Sequence, residues 1–170
     1  MSNQELVSSW RQAEILLAHA RPGDLIECDR GAYKHWVVYI GGGNCAHLVD
    51  PSFKQQTSAA FHSINAEVNI DGLLDVAHGD PCRINNANDR QFTPFDPARI
   101  AERATTAQGP QEYHLRELNC EHFATWCRYG RFMSRQVEYY SGVGVAAGIG
   151  LIGGLAAVGA VGLIQRLRQS

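Results

Sequence analysis

A cysteine directly after an asparagine, at the start of an apolar helical period, is a place where a thiol can serve as a nucleophile. Asn119 is a good helix N-cap, and Cys120, Phe123, Ala124 and Cys127 follow at the spacing of one helical face. Cys120 is therefore expected in the first turn of a helix, on its inward side. There the helix dipole and the unpaired backbone N–H groups favour a thiolate, and the same N–H groups can later hold an oxyanion. The plain alternative is a small core residue, and on this segment alone the two readings stand even.

A thiol nucleophile needs a base, and the chain has seven histidines. His19 falls at the end of a first helix and His62 in a polar stretch, which makes both surface residues. His78 and His114 adjoin turn-like segments. His122 is two residues from Cys120 on the same helix, so its side chain points elsewhere and its role is structural. His35 and His47 differ, because each falls on a strand of one predicted hairpin, built on the β-prone runs 36–40 and 45–49 around Gly41-Gly42-Gly43-Asn44.

Whether those two histidines share a face depends on the turn. A two- or four-residue loop centred on Gly42-Gly43 sets His47 opposite Val38, facing away from His35. A three-residue loop, or a bulge, sets it opposite Val37 and puts both histidines on one face. Three successive glycines make the odd arrangement accessible. Diagonal neighbours are then ~7–8 Å apart, within reach of two imidazoles. Each histidine alone reads as a hydrogen-bonded residue of a half-buried strand; together with a helix-start cysteine they read as catalytic groups.

Other chemistries are poorly represented. Cys120-Glu121-His122 lacks the spacing of zinc ligands, and there is no GxSxG elbow, P-loop or HExxH helix, so neither a metal nor a cofactor is expected. Glu121 adjoins the cysteine on the helix and serves the dipole.

The elements that must position these groups belong to a chain of 170 residues with a net charge of -2 and 45% hydrophobic residues. That length supports one domain with a core, and the composition excludes a disordered chain. Near-neutral charge argues against nucleic acid bound through a broad basic face. Five cysteines, without a CxxC pair, fit free thiols in a reducing compartment. Met1 is followed by Ser-Asn-Gln-Glu, so no secretory leader is expected.

Residues 1–138 read as a compact α+β domain. Apolar residues Leu6, Val7, Trp10, Ala13, Leu16 and Leu17 predict a helix over 6–20, and 24–28 a short strand. Residues 67–76 predict one further strand or two, interrupted at Asp71-Gly72. Residues 85–96 are polar and turn-rich. A helix over 97–108 ends at Gly109-Pro110, and the cysteine helix runs from Asn119 into Tyr129-Gly130.

Residues 139–165 carry no charge, and 142–164 are built almost wholly from Gly, Ala, Val, Leu and Ile. As a helix that run spans roughly 34 Å, enough for a bilayer core of ~30 Å. A buried, Gly-rich core hairpin is the alternative, but so many glycines without polar punctuation suit a soluble helix badly. Residues 139–170 are thus expected to be a C-terminal transmembrane anchor. Gly144/Gly148 and Gly150/Gly154 have the spacing for helix-mediated self-association. Arg128, Arg131 and Arg135 before the span, against Arg166 and Arg168 after it, favour a catalytic domain in the cytoplasm.

Three segments then gain a common meaning. Arg30-Gly31-Ala32-Tyr33-Lys34-His35-Trp36, Ala46-His47-Leu48 and Asn119-Cys120-Glu121-His122-Phe123 resemble, in order and spacing, the lecithin retinol acyltransferase-like family, and within it the phospholipase A/acyltransferase branch. The likeness runs from Pro22 to about Val137 and includes Arg83-Ile84-Asn85-Asn86. It implies a permuted papain-like α+β fold, a small antiparallel sheet packed on helices. It also implies Cys120 as nucleophile, His35 as its base and His47 as the third member that orients His35. A neutral third member holds an imidazolium less well than a carboxylate does. Gly31 and Lys34 depart from the proline and arginine expected at those places. Arg30 is the candidate contact for a phospholipid phosphate.

The implied activity is phospholipase A1/A2 and acyltransferase chemistry on membrane glycerophospholipids. A retinol-type acyltransferase of the same family and a non-catalytic membrane-associated module are the alternatives. A thiol peptidase with the same triad would want an open groove and has no need of an anchor.

Overall fold

The computed structural model describes residues 6–49, 66–110 and 119–134. Its centre is a six-stranded antiparallel sheet in the order β5-β1-β2-β3-β4-β6. The strands are β1 (Leu25–Asp29), β2 (Lys34–Gly41), β3 (Asn44–Val49), β4 (Glu67–Gly72), β5 (Cys82–Ile84) and β6 (Gly109–Pro110). Among the described residues four α-helices accompany them: α1 (Ala13–Leu17), α2 (Leu73–Ala77), α3 (Pro97–Thr106) and α4 (Cys120–Tyr129). A 3-10 turn occupies Ala87–Arg90.

The apolar run of β2 is buried on both faces, which is why it does not alternate with polar residues. Trp36 and Val38 face a core shared with Ile100 and Ala104 of α3 and with Phe123, Ala124 and Cys127 of α4. Val37 and Tyr39 face a second core with Ile26, Cys28, Cys45 and Cys82, closed by Ala13 and Leu16 of α1 and by Leu73, Val76 and Ala77 of α2. The sheet is thus a middle layer between two pairs of helices.

Three polar clusters fasten the fold. Asn86 accepts from the Leu25 N–H at 3.0 Å and donates to Asp24 at 2.8 Å, both in the buried interior. Arg128, near the end of α4, grips Asp89 through two nitrogens at 2.9 and 2.6 Å and donates to the Gly23 carbonyl at 2.7 Å. Arg83 and Asn85 converge on the Glu27 carboxylate at 2.8 and 2.7 Å.

Three expectations need correction. Of the helix predicted over 6–20, only Ala13–Leu17 is helical. The preceding residues bridge to β5, where Arg11 exchanges backbone hydrogen bonds with Cys82 at 2.9 and 2.8 Å, so groups that a helix would need are already committed. The stretch 67–76 is one strand and then helix α2, because Gly72 leaves the sheet in an extended conformation that serves as N-cap. Strand β5 lies in a stretch assigned no element in advance, because three residues carry too little pattern. Among the described residues no helix is long and apolar enough to cross a membrane. The run 142–164, and with it the boundary at 138/139, lies outside the described residues.

Candidate active site

The hairpin takes the odd register. Gly41 pairs with Asn44 around Gly42 and Gly43, both at positive φ, as a tight two-residue turn requires. A bulge between Tyr39 and Gly41 then shifts the ladder, so that Tyr39 pairs with Cys45, Val38 with Ala46 and Val37 with His47. His35 and His47 therefore occupy one face as diagonal neighbours, His35 Nε2 lying 2.9 Å from His47 Nδ1. Their rings meet edge to face, with centroids 5.1 Å apart.

A third group continues the line. Strand β4 pairs His47 with Asn69 and Cys45 with Asp71, which makes Asp71 the diagonal neighbour of His47 on the same face. His47 Nε2 is 3.0 Å from Asp71 Oδ2. An ionised carboxylate only accepts, so it fixes the protons behind it. His47 carries its proton on Nε2 and presents Nδ1 as an acceptor. His35 must then donate from Nε2, and its Nδ1, the nitrogen not engaged with His47, is the basic one.

Cys120 reaches this face from the other side of the sheet. The Asn119 side chain accepts from the His122 N–H at 3.0 Å, and His122 Nδ1 accepts from the Asn119 N–H at 3.2 Å, a reciprocal cap that starts α4 at the cysteine. His122 thus has the structural role expected of it. Glu121 is buried and accepts from the Ser134 hydroxyl at 2.6 Å. Pairing between β2 and β3 stops at Val37 and His47, and beyond that point the Trp36 N–H donates to Cys120 Sγ at 3.4 Å. The thiol in turn lies 3.7 Å from the Lys34 carbonyl. The sulfur thus sits against the backbone on either side of His35. Of the five cysteines it alone keeps partial solvent access.

The electrostatics differ from the expected thiolate. Burial pushes the Cys120 thiol up to about 12, against the backbone N–H groups of Trp36, Glu121 and Cys120 itself, which pull it down. Burial also holds His35 well below the ordinary histidine value, with His47 and Arg30 adding to the effect. His47 is lowered by burial too, although the Asp71 carboxylate works in the opposite direction. Both shifts favour the uncharged forms, so the resting pair is thiol and imidazole rather than thiolate and imidazolium.

Arg30 is engaged by the fold. Its guanidinium pairs with Asp80 at 2.9 Å and donates to the Val76 carbonyl, and the side chain is only 9% exposed. A phosphate would have to compete with Asp80 for it. Lys34, by contrast, is held at the surface beside Asp29 at 2.5 Å. Among the described residues no cluster of His, Cys, Asp and Glu is arranged to hold a metal ion.

Asp71 is the residue that sequence reasoning missed. Its signal was the register of β4 on β3, which nothing in a single sequence specifies across the intervening residues 50–66. His19 and His78 are exposed, as distant from this chemistry as expected of the first, while His62 and His114 lie outside the described residues.

Comparison with known proteins places the chain in a family. The family model for lecithin retinol acyltransferase matches residues 18–133. The chain is 38% identical over 136 residues to phospholipase A and acyltransferase 3 of Pongo abelii, covering 77% of this chain and 84% of that protein. It is 40% identical over 143 residues to human phospholipase A and acyltransferase 2, covering 79% and 88%. Against human phospholipase A and acyltransferase 4 the identity is 38% over 138 residues, covering 78% and 84%. The matched span holds Cys120, His35, His47 and Asp71 together, and the chain belongs to the lecithin retinol acyltransferase family of enzymes.

Proposed function

We propose that this chain is a membrane-anchored, cysteine-dependent phospholipase A1/A2 and acyltransferase that works on glycerophospholipids through a thioester acyl-enzyme. The observation that carries the reading is the line Asp71–His47–His35, together with Cys120 Sγ resting against the Trp36 N–H and the Lys34 carbonyl on either side of His35. His35 takes the thiol proton as the sulfur attacks an ester carbonyl. The Cys120 N–H, in the first turn of α4, is placed to hold the developing oxyanion. The proton then passes to the departing lysophospholipid, leaving the acyl group on sulfur. Water as second acceptor completes a phospholipase cycle; a phosphatidylethanolamine amine or a lysophospholipid hydroxyl completes a transfer. His47 and Asp71 hold the tautomer and share the charge that His35 acquires.

In this reading residues 1–138 form the catalytic domain and 139–170 the anchor, with the domain on the cytoplasmic side. Confinement to the bilayer surface raises the local concentration of substrate. The test is intact-protein mass spectrometry on the full chain after brief mixing with phosphatidylcholine vesicles, beside Cys120→Ser. A fatty-acyl adduct on the wild type alone is the expected result. Neither adduct nor released fatty acid would replace this reading with the non-catalytic membrane module.

A further inference from the structure

The cysteines that the reaction does not use are not scattered at random. Cys28 of β1 and Cys82 of β5 are direct cross-strand partners, and their sulfurs lie 3.0 Å apart. Cys82 spends its backbone N–H and C=O on Arg11, on the side away from β1. The pair Cys28/Cys82 is therefore a non-hydrogen-bonded antiparallel pair, the kind in which side chains approach most closely, at ~4.5 Å between Cα atoms. That separation falls within the range that a disulfide spans. Both residues are fully buried.

We propose that Cys28 and Cys82 are a disulfide-forming site, closed by oxidants of the hydroperoxide class. The two thiols share one hydrogen bond, Cys82 Sγ donating to Cys28 Sγ, so one of the pair reacts first and the other resolves it. The thiolate of one attacks the peroxide oxygen, the O–O bond breaks, and a sulfenic acid and an alcohol or water result. The second thiol then attacks that sulfur, the S–O bond breaks, and its proton leaves with the hydroxide as water. Two thiols supply the two electrons that the peroxide accepts.

Access is provided by the N-terminal segment. Residues 6–12 cover β5 through isolated bridges, at Val7–Asn85 and Arg11–Cys82, rather than through a continuous ladder. Such a segment opens at lower cost than the sheet beneath it. The bond neither consumes Cys120 nor displaces His35, although Cys28 is the cross-strand partner of His35. The inference is independent of which lipid the enzyme acts on.

The experiment titrates hydrogen peroxide into the reduced full chain in detergent micelles, then denatures, alkylates and maps the peptides. The expected product joins the Cys28 and Cys82 peptides, two hydrogens lighter than their sum, and dithiothreitol separates them. Cys45 and Cys127 remain alkylated. The oxidised protein melts about 5 °C or more above the reduced one, since the bond closes a long loop. That rise is absent in Cys28→Ser. If Cys28 and Cys82 are still alkylated once Cys120 has been fully oxidised, or if either is joined to Cys45 instead, the proposal is overturned.

Discussion

Replacing Asp71 with asparagine separates the two services that the carboxylate performs. The amide is nearly isosteric, so the strand and its contacts stay in place while the charge is lost. If the amide oxygen takes over as acceptor, His47 keeps its proton on Nε2 and the tautomers survive. The loss is then the difference between a charge-assisted hydrogen bond and a neutral one, about 1–1.5 kcal/mol, or about 5–13-fold in kcat/KM. Asp71 has a side chain 50% exposed, so solvent screens its charge and the lower end, about five-fold, is expected. If instead the amide nitrogen donates to His47 Nε2, both histidines reverse. His35 then holds its proton on Nδ1 and presents no base to the thiol. A wrong tautomer of this kind cost about 10⁴-fold in a serine protease, and a loss of that order is expected here.

The assay is fatty-acid release from phosphatidylcholine vesicles by the full chain, with initial rates taken across the neutral pH range. Thermal melting shows whether the variant keeps the wild-type fold. Asp71→Glu, which restores an acceptor at a different reach, recovers part of the rate, and Asp71→Ala does not. A rate for Asp71→Asn within two-fold of wild type at every pH, with the fold intact, would refute the proposed role of the carboxylate.

Three further expectations follow from other parts of the molecule. With its thiol raised to about 12, Cys120 stays protonated through neutral pH. Its thiolate fraction is then about 3,000-fold below that of an ordinary cysteine, of which greater nucleophilicity returns about 30-fold. Alkylation by iodoacetamide should thus run about 100-fold slower than for free cysteine and climb about tenfold per pH unit. A rate that levels off below neutral pH would indicate a thiolate and sink the neutral-pair description. Asp89→Ala strands the Arg128 guanidinium in a site where its side chain is 10% exposed. A loss of about 3 kcal/mol, or roughly 6–12 °C in Tm, is expected by calorimetry. Gly41→Ala places a methyl 3.2 Å from Pro22 Cγ at a φ of +97°. It should cost about 1–3 kcal/mol and lower activity more than folding, because the register it disturbs aims His47; equal losses in both would count against that link.

The sequence made the cysteine helix legible almost to the residue, because its signals are local. Asn119 and Gly130 mark its ends by side-chain acceptance and by a left-handed backbone, and both act within a few residues. The hairpin was legible as an element, yet its register was not. Even and odd pairings differ by a single bulge at Tyr39/Gly41, and hydrophobicity does not discriminate them on a strand buried on both faces. The N-terminal segment misled because Leu6, Val7 and Trp10 have helical spacing, whereas the competing partner, β5, lies some seventy residues away. Protonation was misjudged for a similar reason. The first turn of a helix lowers a thiol, but how deeply that turn is buried depends on elements that the local sequence does not name.

Those misreadings share one physical origin, and it bears on how the site works. The strand β2 is paired to β3 only as far as Val37, and the sulfur of a helix from the opposite layer occupies the place where that ladder would have continued. The thiol therefore meets a backbone N–H that no strand claims, beside a histidine whose partners are set by β3 and β4. Desolvation there holds both reacting groups neutral, so the charge that separates them arises only as a bond forms to sulfur. A thiol and an imidazole that rest uncharged avoid the cost of keeping an ion pair buried, and in the proposed mechanism the backbone N–H groups around Cys120 act on charge only when it develops.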